Sequence, residues 1–517
     1  MKSNKSIQLI RPLRWVMPVV FVATLFSLAP AQDKDHDMQD MKHRPAASPT
    51  PQKKPTPQSP GEPKMDMPMP APEPTPASEQ SSPQPMKDMP EMGVMKMGPL
   101  LVMSDSDMGI RVGSSETNLT SMGAMGSGTS WQPSSGPMHM DYKVAGDWLL
   151  TFHYNLVAGV NHQGGPRGET KVESANWFMA MAYHKAGKGT LQLKGMLSAE
   201  PFTFPPAGSP LLFQTGETYR GQSLIDRQHP HDLFMELSAQ YTLPLGERGT
   251  WFVYVGYPGE PALGPVAFMH RLSAVENPSA PLAHHLQDST HISFGVVTTG
   301  FTYRWLKLEG SLFNGHEPDE KRYNFDAPRL NSRSARLSIM PNRNWALQVS
   351  YGFLRSPEAT EPTADIRRLT ASAQYNRPLK RGNWSSAFIW GRNHTSSPGR
   401  TTDLNGYTAE STLSFLDRNH LYTRLELVDK NELLRPGDRV LLGVRDDHAS
   451  FRIGAYTFGG VRDIWTNDKI ALGLGSDVTC YSKPPLLDRI YGDHPVSWQL
   501  FFRVRPGKTD MNMHAGH

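Results

Sequence analysis

From Trp148 to Val504 the chain runs in segments of about ten residues in which apolar and polar side chains alternate. In Trp345–Phe353, the residues Trp345, Leu347, Val349, Tyr351 and Phe353 share one face. Ala346, Gln348, Ser350 and Gly352 share the other, because side chains along a strand have a period of two. Leu306, Leu308 and Leu312 alternate with Lys307, Glu309 and Ser311. Trp498, Leu500, Phe502 and Val504 alternate with Gln499, Phe501 and Arg503. An apolar stripe backed by a charged, wettable stripe suits a strand with lipid on one side and a polar lumen on the other. The pattern predicts an all-β fold, a transmembrane antiparallel β-barrel of the bacterial outer membrane.

The connections alternate between short and long. Short ones are expected near Ala186–Lys188, Pro244–Gly249, Arg304, Pro341–Arg343, Arg377–Gly382, Leu416–Asn419 and Arg462–Asn467. Long ones are expected near Val160–Glu173, Glu200–His231, Pro258–Ser289, Asn314–Leu330, Arg355–Asp365, Asn393–Leu404, Asp429–Asp447 and Ser482–Pro495. This rhythm gives about sixteen strands, with short turns in the periplasm and long loops outside. The last of them ends in Phe501-Phe502-Arg503-Val504, similar to the aromatic-ended strand that the barrel-assembly machinery recognises.

Residues 1–31 read as a signal peptide. Lys2, Lys5, Arg11 and Arg14 precede the apolar run Trp15–Leu28, and Ala29-Pro30-Ala31 is a small-x-small cleavage site. That run is shorter than the ~20 residues of a spanning helix. Residues 32–146 read as a disordered periplasmic arm rich in Met and Pro, with a short element expected near Leu100–Val112. Pro45–Pro90 is dense in Pro, Ser, Gln and Lys and has no aromatic residue to nucleate a core. The barrel is expected over 147–505, followed by a Met/His tail at 506–517.

A formal net charge of +4, mixed in sign along the chain, gives no reason to expect nucleic acid. The single cysteine, Cys480, excludes an internal disulfide and any cysteine-based zinc site. Methionine and histidine remain as the chemically suggestive residues. Met65, Met67 and Met69 alternate with Asp66 and Pro68, Met138-His139-Met140 repeats the spacing, and the tail carries Met511, Met513, His514 and His517. Thioether sulfur is a soft, uncharged donor that suits Cu(I) or Ag(I). His36 and His43 add imidazoles for Cu(II). The arm and tail are therefore expected to bind copper.

A second polar group lies in the long loops. Asp226-Arg227-Gln228-His229-Pro230-His231-Asp232 closes one loop. His270-Arg271, then His284-His285 with Asp288 and His291, occupy the next, and Asn314–Glu320 opens a third. Histidines beside carboxylates suit Zn, Cu or Ni, which makes His229, His231, His284, His285 and His291 candidate ligands. The same groups would equally serve as a pore constriction or a hydrogen-bonded plug. Ser289, His291 and Asp288, or Asp226, His229, His231 and Asp232, offer acid–base sets. Neither comes with a nucleophile motif such as Gly-x-Ser-x-Gly, so no catalytic residue is assigned and no enzymatic turnover is expected.

Asp226–Asp232, Met269-His270-Arg271 with Glu276-Asn277-Pro278, and His284-His285 with Asp288-Ser289-Thr290-His291 resemble the loop signature of an uncharacterised bacterial outer-membrane barrel family. That resemblance covers most of Asp141–Arg505 and implies the barrel but no activity. The layout of a Met-rich arm before a barrel is similar to that of the copper-resistance outer-membrane B proteins, which implies copper without assigning a residue. The leading expectation is a channel or porin-like protein linked to copper, its arm binding Cu(I) in the periplasm. The alternatives are a barrel enzyme acting on lipid or lipopolysaccharide, and a structural or adhesive surface barrel. Expected partners are outer-membrane lipid, the barrel-assembly machinery and periplasmic copper proteins.

Overall fold

The computed structural model describes residues 94–509, apart from 105, 106, 114 and 116. Met65, Met67, Met69, Met511, Met513 and His514 lie outside the described residues. The described chain opens with four short strands, β1 (Val94–Met97), β2 (Leu101–Ser104), β3 (Asp107–Arg111) and β4 (Leu119–Ser121), followed by β5 (Asp141–Ala145). Next come β6 (Trp148–His162), β7 (Thr170–Ala186) and β8 (Gly189–Leu197), then a loop hairpin of β9 (Ser209–Tyr219) and β10 (Gln222–Gln228). The wall continues with β11 (Phe234–Leu245), β12 (Gly249–Gly256), β13 (Val296–Tyr303), β14 (Leu306–Phe313), β15 (Ser332–Asn342) and β16 (Trp345–Arg355). It is completed by β17 (Asp365–Leu379), β18 (Gly382–Ser397), β19 (Arg400–Phe415), β20 (Asn419–Lys430), β21 (Phe451–Thr466), β22 (Ile470–Ser482) and β23 (Val496–Pro506).

Strands β6–β8 and β11–β23 form a closed antiparallel barrel of sixteen strands. The seam has two parts. β23 pairs with Leu156–His162 of β6, while β5 pairs with Trp148–Phe152 of the same strand. Side chains obey the expected alternation: Phe301, Leu308, Leu312, Val349, Phe388, Leu421 and Phe502 are exposed on the outer face. Lys307, Glu309, Arg336, Ser350 and Arg503 are buried on the inner one. An apolar outer surface on a closed sheet with no free edge meets the requirement that lipid imposes on backbone polar groups. The fold is a closed sixteen-stranded antiparallel β-barrel with the apolar outer surface of a membrane-spanning barrel.

One connection differs from expectation. Asn393–Leu404 is no long loop, because β18 and β19 stay paired up to Ser397 and Arg400, and Gly399 turns the chain at φ 78°. The Ser/Thr-rich ends of these strands keep the ladder intact beyond the apolar band. Within the stretch expected as arm, β1–β4 form a four-stranded antiparallel sheet of their own, and β2 and β3 fall where the short element near Leu100–Val112 is expected. Unlike Pro45–Pro90, this stretch carries Leu100, Leu101 and Ile110, which bury against Leu149, Met181 and Tyr183 of the barrel wall. That gives it the apolar area needed to offset its ordering entropy.

Both ends of the lumen are filled by the chain itself. From the periplasmic side, residues 117–140 thread the barrel: Asn118 Nδ2 donates to the Gly249 carbonyl at 2.5 Å, Lys194 Nζ to that of Gly128 at 3.2 Å, and Arg336 Nη2 to Thr129 Oγ1 at 3.0 Å. Gly113, at φ +66°, sits where a Cβ would meet the Lys188 carbonyl at 2.1 Å, so glycine is required there. From the outer side, residues 257–295 fold inward. Ala262 N and Gly264 N donate to Ser311 Oγ and Ser350 Oγ at 2.8 Å each, Ala283 N to Glu426 Oε1 at 3.0 Å, and Arg368 Nη2 to the His285 carbonyl at 2.7 Å.

Arg271 is the centre of this attachment. It is wholly buried, grips Glu410 through Nε and Nη2 at 2.7 and 3.2 Å, and reaches Asp288 at 3.1 Å.

Candidate metal centre

Three loops meet above the inward-folded segment and bring five histidines together. The β9–β10 hairpin supplies Glu217, and the extended His229-Pro230-His231 stretch follows it directly. Pro230 favours extended backbone in the residue before it, which spreads the two imidazoles to ring centroids 6.3 Å apart. The single-turn helix His284–Gln287 and the 3₁₀ turn Ser289–His291 supply the rest. Centroids of His284 and His285 are 5.3 Å apart, His284 and His291 5.1 Å, and His231 and His291 5.3 Å. His229 and His285 face each other at 6.5 Å.

Each imidazole is held at Nδ1. The Pro230 carbonyl accepts from His229 at 2.9 Å, Glu200 Oε2 from His231 at 2.7 Å, and Asp288 Oδ1 from His284 at 2.7 Å. The Asp288 carbonyl accepts from His291 at 2.9 Å, and Glu317 lies 3.4 Å from His285 Nδ1. Holding Nδ1–H in this way leaves Nε2 as the unprotonated ligand atom, the arrangement that orients histidines toward metals. His291 Nε2 is buried without a hydrogen-bond partner.

Glu217, His229 and His285 each offer a ligand atom, and these atoms all lie within 4.8 Å of one another. Glu217 Oε1 touches His229 Nε2, and Arg322 Nη2 steadies the other carboxylate oxygen at 3.1 Å. Gly216, at φ +124°, makes the site possible, since a Cβ there would meet the His285 ring at 2.8 Å.

The electrostatics favour a cation at this point. Burial pushes the Glu217 carboxyl above its ordinary range despite Arg322, and pushes His229 well below its own. Burial also lowers His285 to about 4, and burial together with the Glu217 charge raises Glu317 to about 8. Burial thus disfavours charge on these two imidazoles and on the Glu217 carboxyl. Two acidic side chains and two ring nitrogens share one enclosed space, a donor set that suits a divalent ion.

The remaining expected ligands lie elsewhere. Met138, His139 and Met140 belong to the periplasmic thread, with Met140 in an apolar cluster and His139 Nδ1 3.3 Å from the Pro506 carbonyl. Glu217, Glu200 and Arg322 escape sequence reasoning, because an isolated acid in Thr215-Gly216-Glu217-Thr218 carries no pattern.

No protein-family model matches this chain, and no curated protein matches its sequence. Solved outer-membrane barrels are similar in outline. They include OmpT of Vibrio cholerae, at 8% identity over 71% of this chain and 100% of that one, with a TM-score of 0.41. The anion-selective porin of Comamonas acidovorans gives 10% identity over 69% and 99%, with a TM-score of 0.41. OmpF of Salmonella typhi, in complex with daunomycin, gives 8% over 70% and 100%, with a TM-score of 0.42.

Proposed function

We propose that this barrel is a non-enzymatic, porin-like protein of copper handling, with a divalent-ion site in its outer lumen formed by Glu217, His229 and His285. The observation that carries the reading is the convergence of their ligand atoms within 4.8 Å in a buried pocket whose imidazoles are held at Nδ1. Imidazole and carboxylate suit borderline ions, and among first-row divalent metals such a set favours Cu(II) most. The filled lumen speaks against an open diffusion pore. In this reading the Met-rich arm captures Cu(I) in the periplasm and presents it to the barrel or to periplasmic copper proteins.

The test is Cu(II) titration of the detergent-solubilised full chain. Glu217→Gln, His229→Ala and His285→Ala are each expected to weaken the tightest site by at least roughly 10-fold. Binding should also weaken toward acid. Protons compete with Cu(II) for the carboxylate and the two ring nitrogens, so affinity should fall as the pH is lowered. Affinities equal to wild type in all three variants would end the reading.

A further inference from the structure

A second chamber lies lower in the lumen, between the periplasmic thread and the wall. Its volume is about 500 Å³. The apolar cluster beside it has an unusual composition: nine of its fifteen side chains are methionine. The largest apolar cluster has only Met196, Met235 and Met269 among twenty-three buried side chains, and the two built from Phe252, Leu263 and Phe313, and from Val157, Val461 and Phe501, contain none. Methionine is an adaptable filler that most cores use sparingly, so an enrichment confined to one place calls for a local cause.

The sulfurs face a cavity rather than a solid core. Met122, Met125, Met138, Met140, Met179 and Met181 all line it. Thread and wall sulfurs converge on one hydroxyl, since Tyr183 Oη lies 3.5 Å from Met125 Sδ and 3.3 Å from Met181 Sδ. Met179 shares the inner face of β7 with Met181 and sits directly opposite His153 of β6. His153 also lines the chamber, and its Nε2 is enclosed without a hydrogen-bond partner. Two thioethers from separate chain segments thus meet at one hydroxyl, and a third lies across the ladder from an unsatisfied imidazole nitrogen in the same chamber.

We propose that this chamber is a second metal position, for a soft monovalent ion such as Cu(I) or Ag(I), held by Met125, Met179, Met181 and His153. Thioethers are neutral and polarizable, so they take a soft monovalent ion without its displacing a proton. The inference deepens the copper reading, yet it stands on different residues and a different oxidation state. It also gives a role to residues 117–140, which bring Met125 to the wall.

The probe is Ag(I), counted by native mass spectrometry on the full chain in detergent. The variant Met125→Leu/Met179→Leu/Met181→Leu keeps apolar bulk and is expected to bind one Ag(I) fewer than wild type. Glu217→Gln with His229→Ala should keep the full Ag(I) count while losing tight Cu(II), which separates the two sites. Folding is read from the fast migration of the unheated barrel on a gel. If the triple variant does not assemble, Met179→Leu alone should weaken one Ag(I) by about tenfold or more. An unchanged Ag(I) count in the triple variant, or unchanged affinity in Met179→Leu where that is used, would overturn the proposal and leave the chamber a packed core.

Discussion

Replacing Arg271 with Met is expected to destabilise the folded barrel by about 3–5 kcal/mol, the cost of stranding buried charges. Arg271 neutralises Glu410 and Asp288, and both remain buried after the substitution. Glu410 keeps Arg424 Nε at 2.8 Å, but Asp288 keeps no cation, only the hydrogen bond from the His284 imidazole at 2.7 Å. The damage should therefore centre on the inward-folded loop and spread to the histidine centre that Asp288 supports. A lowered temperature for loss of the unheated gel form, with weaker Cu(II) binding, is the expected result. Pairing Arg271→Met with Asp288→Asn should recover part of the loss, because the charge left without its cation is then removed as well.

Ion conductance should appear when both lumenal fillings are removed, and stay low when either remains. Residues 117–137 block the periplasmic half, while 257–295 block the outer half, and the two touch where Ala267 N donates to Ser127 Oγ at 2.8 Å. Both cuts leave the wall intact. Gly256 pairs directly with Val296 across the base of the loop, so a tight hairpin turn can replace 257–295. A start at Met138 preserves β5 and its pairing with β6. The emptied lumen would be lined by Lys194, Lys307, Arg336, Glu309 and Glu410, groups that water readily solvates. Planar-bilayer recording is expected to show step-like currents only for the doubly truncated protein. Equal currents from either single truncation would mean that the two fillings are not independent blocks.

The wall was legible because lipid and lumen impose opposite demands on successive residues, and a period of two records them. Trp345–Phe353 and Trp498–Val504 show the alternation cleanly, and both strands place these residues as expected. Legibility ends where a strand is apolar on both faces. In β7, Trp177, Met179, Met181 and Tyr183 point inward while Phe178 faces lipid, so pattern alone cannot tell a lumenal methionine from a lipid-facing one. The loop histidines stood out by composition, and the structure brings all five together. Their carboxylate partners did not stand out. Glu217 reaches His229 only through the β9–β10 hairpin, whose register shifts around Ile225 and whose Phe213 and Asp226 both adopt positive φ. Such irregular pairing follows from tertiary contacts, Phe213 N to Asp226 Oδ1 at 2.8 Å among them, and leaves no periodic trace.

The measurement that tests the central claim most directly is pulsed electron paramagnetic resonance on the full chain loaded with one equivalent of Cu(II). Two histidine ligands, His229 and His285, should give modulation from the remote nitrogens of two equatorial imidazoles. That signature should disappear from the first equivalent in His229→Ala/His285→Ala and persist in the Met125→Leu/Met179→Leu/Met181→Leu protein. The same two-imidazole spectrum in His229→Ala/His285→Ala would contradict the account, because the first Cu(II) would then reside outside the lumenal centre.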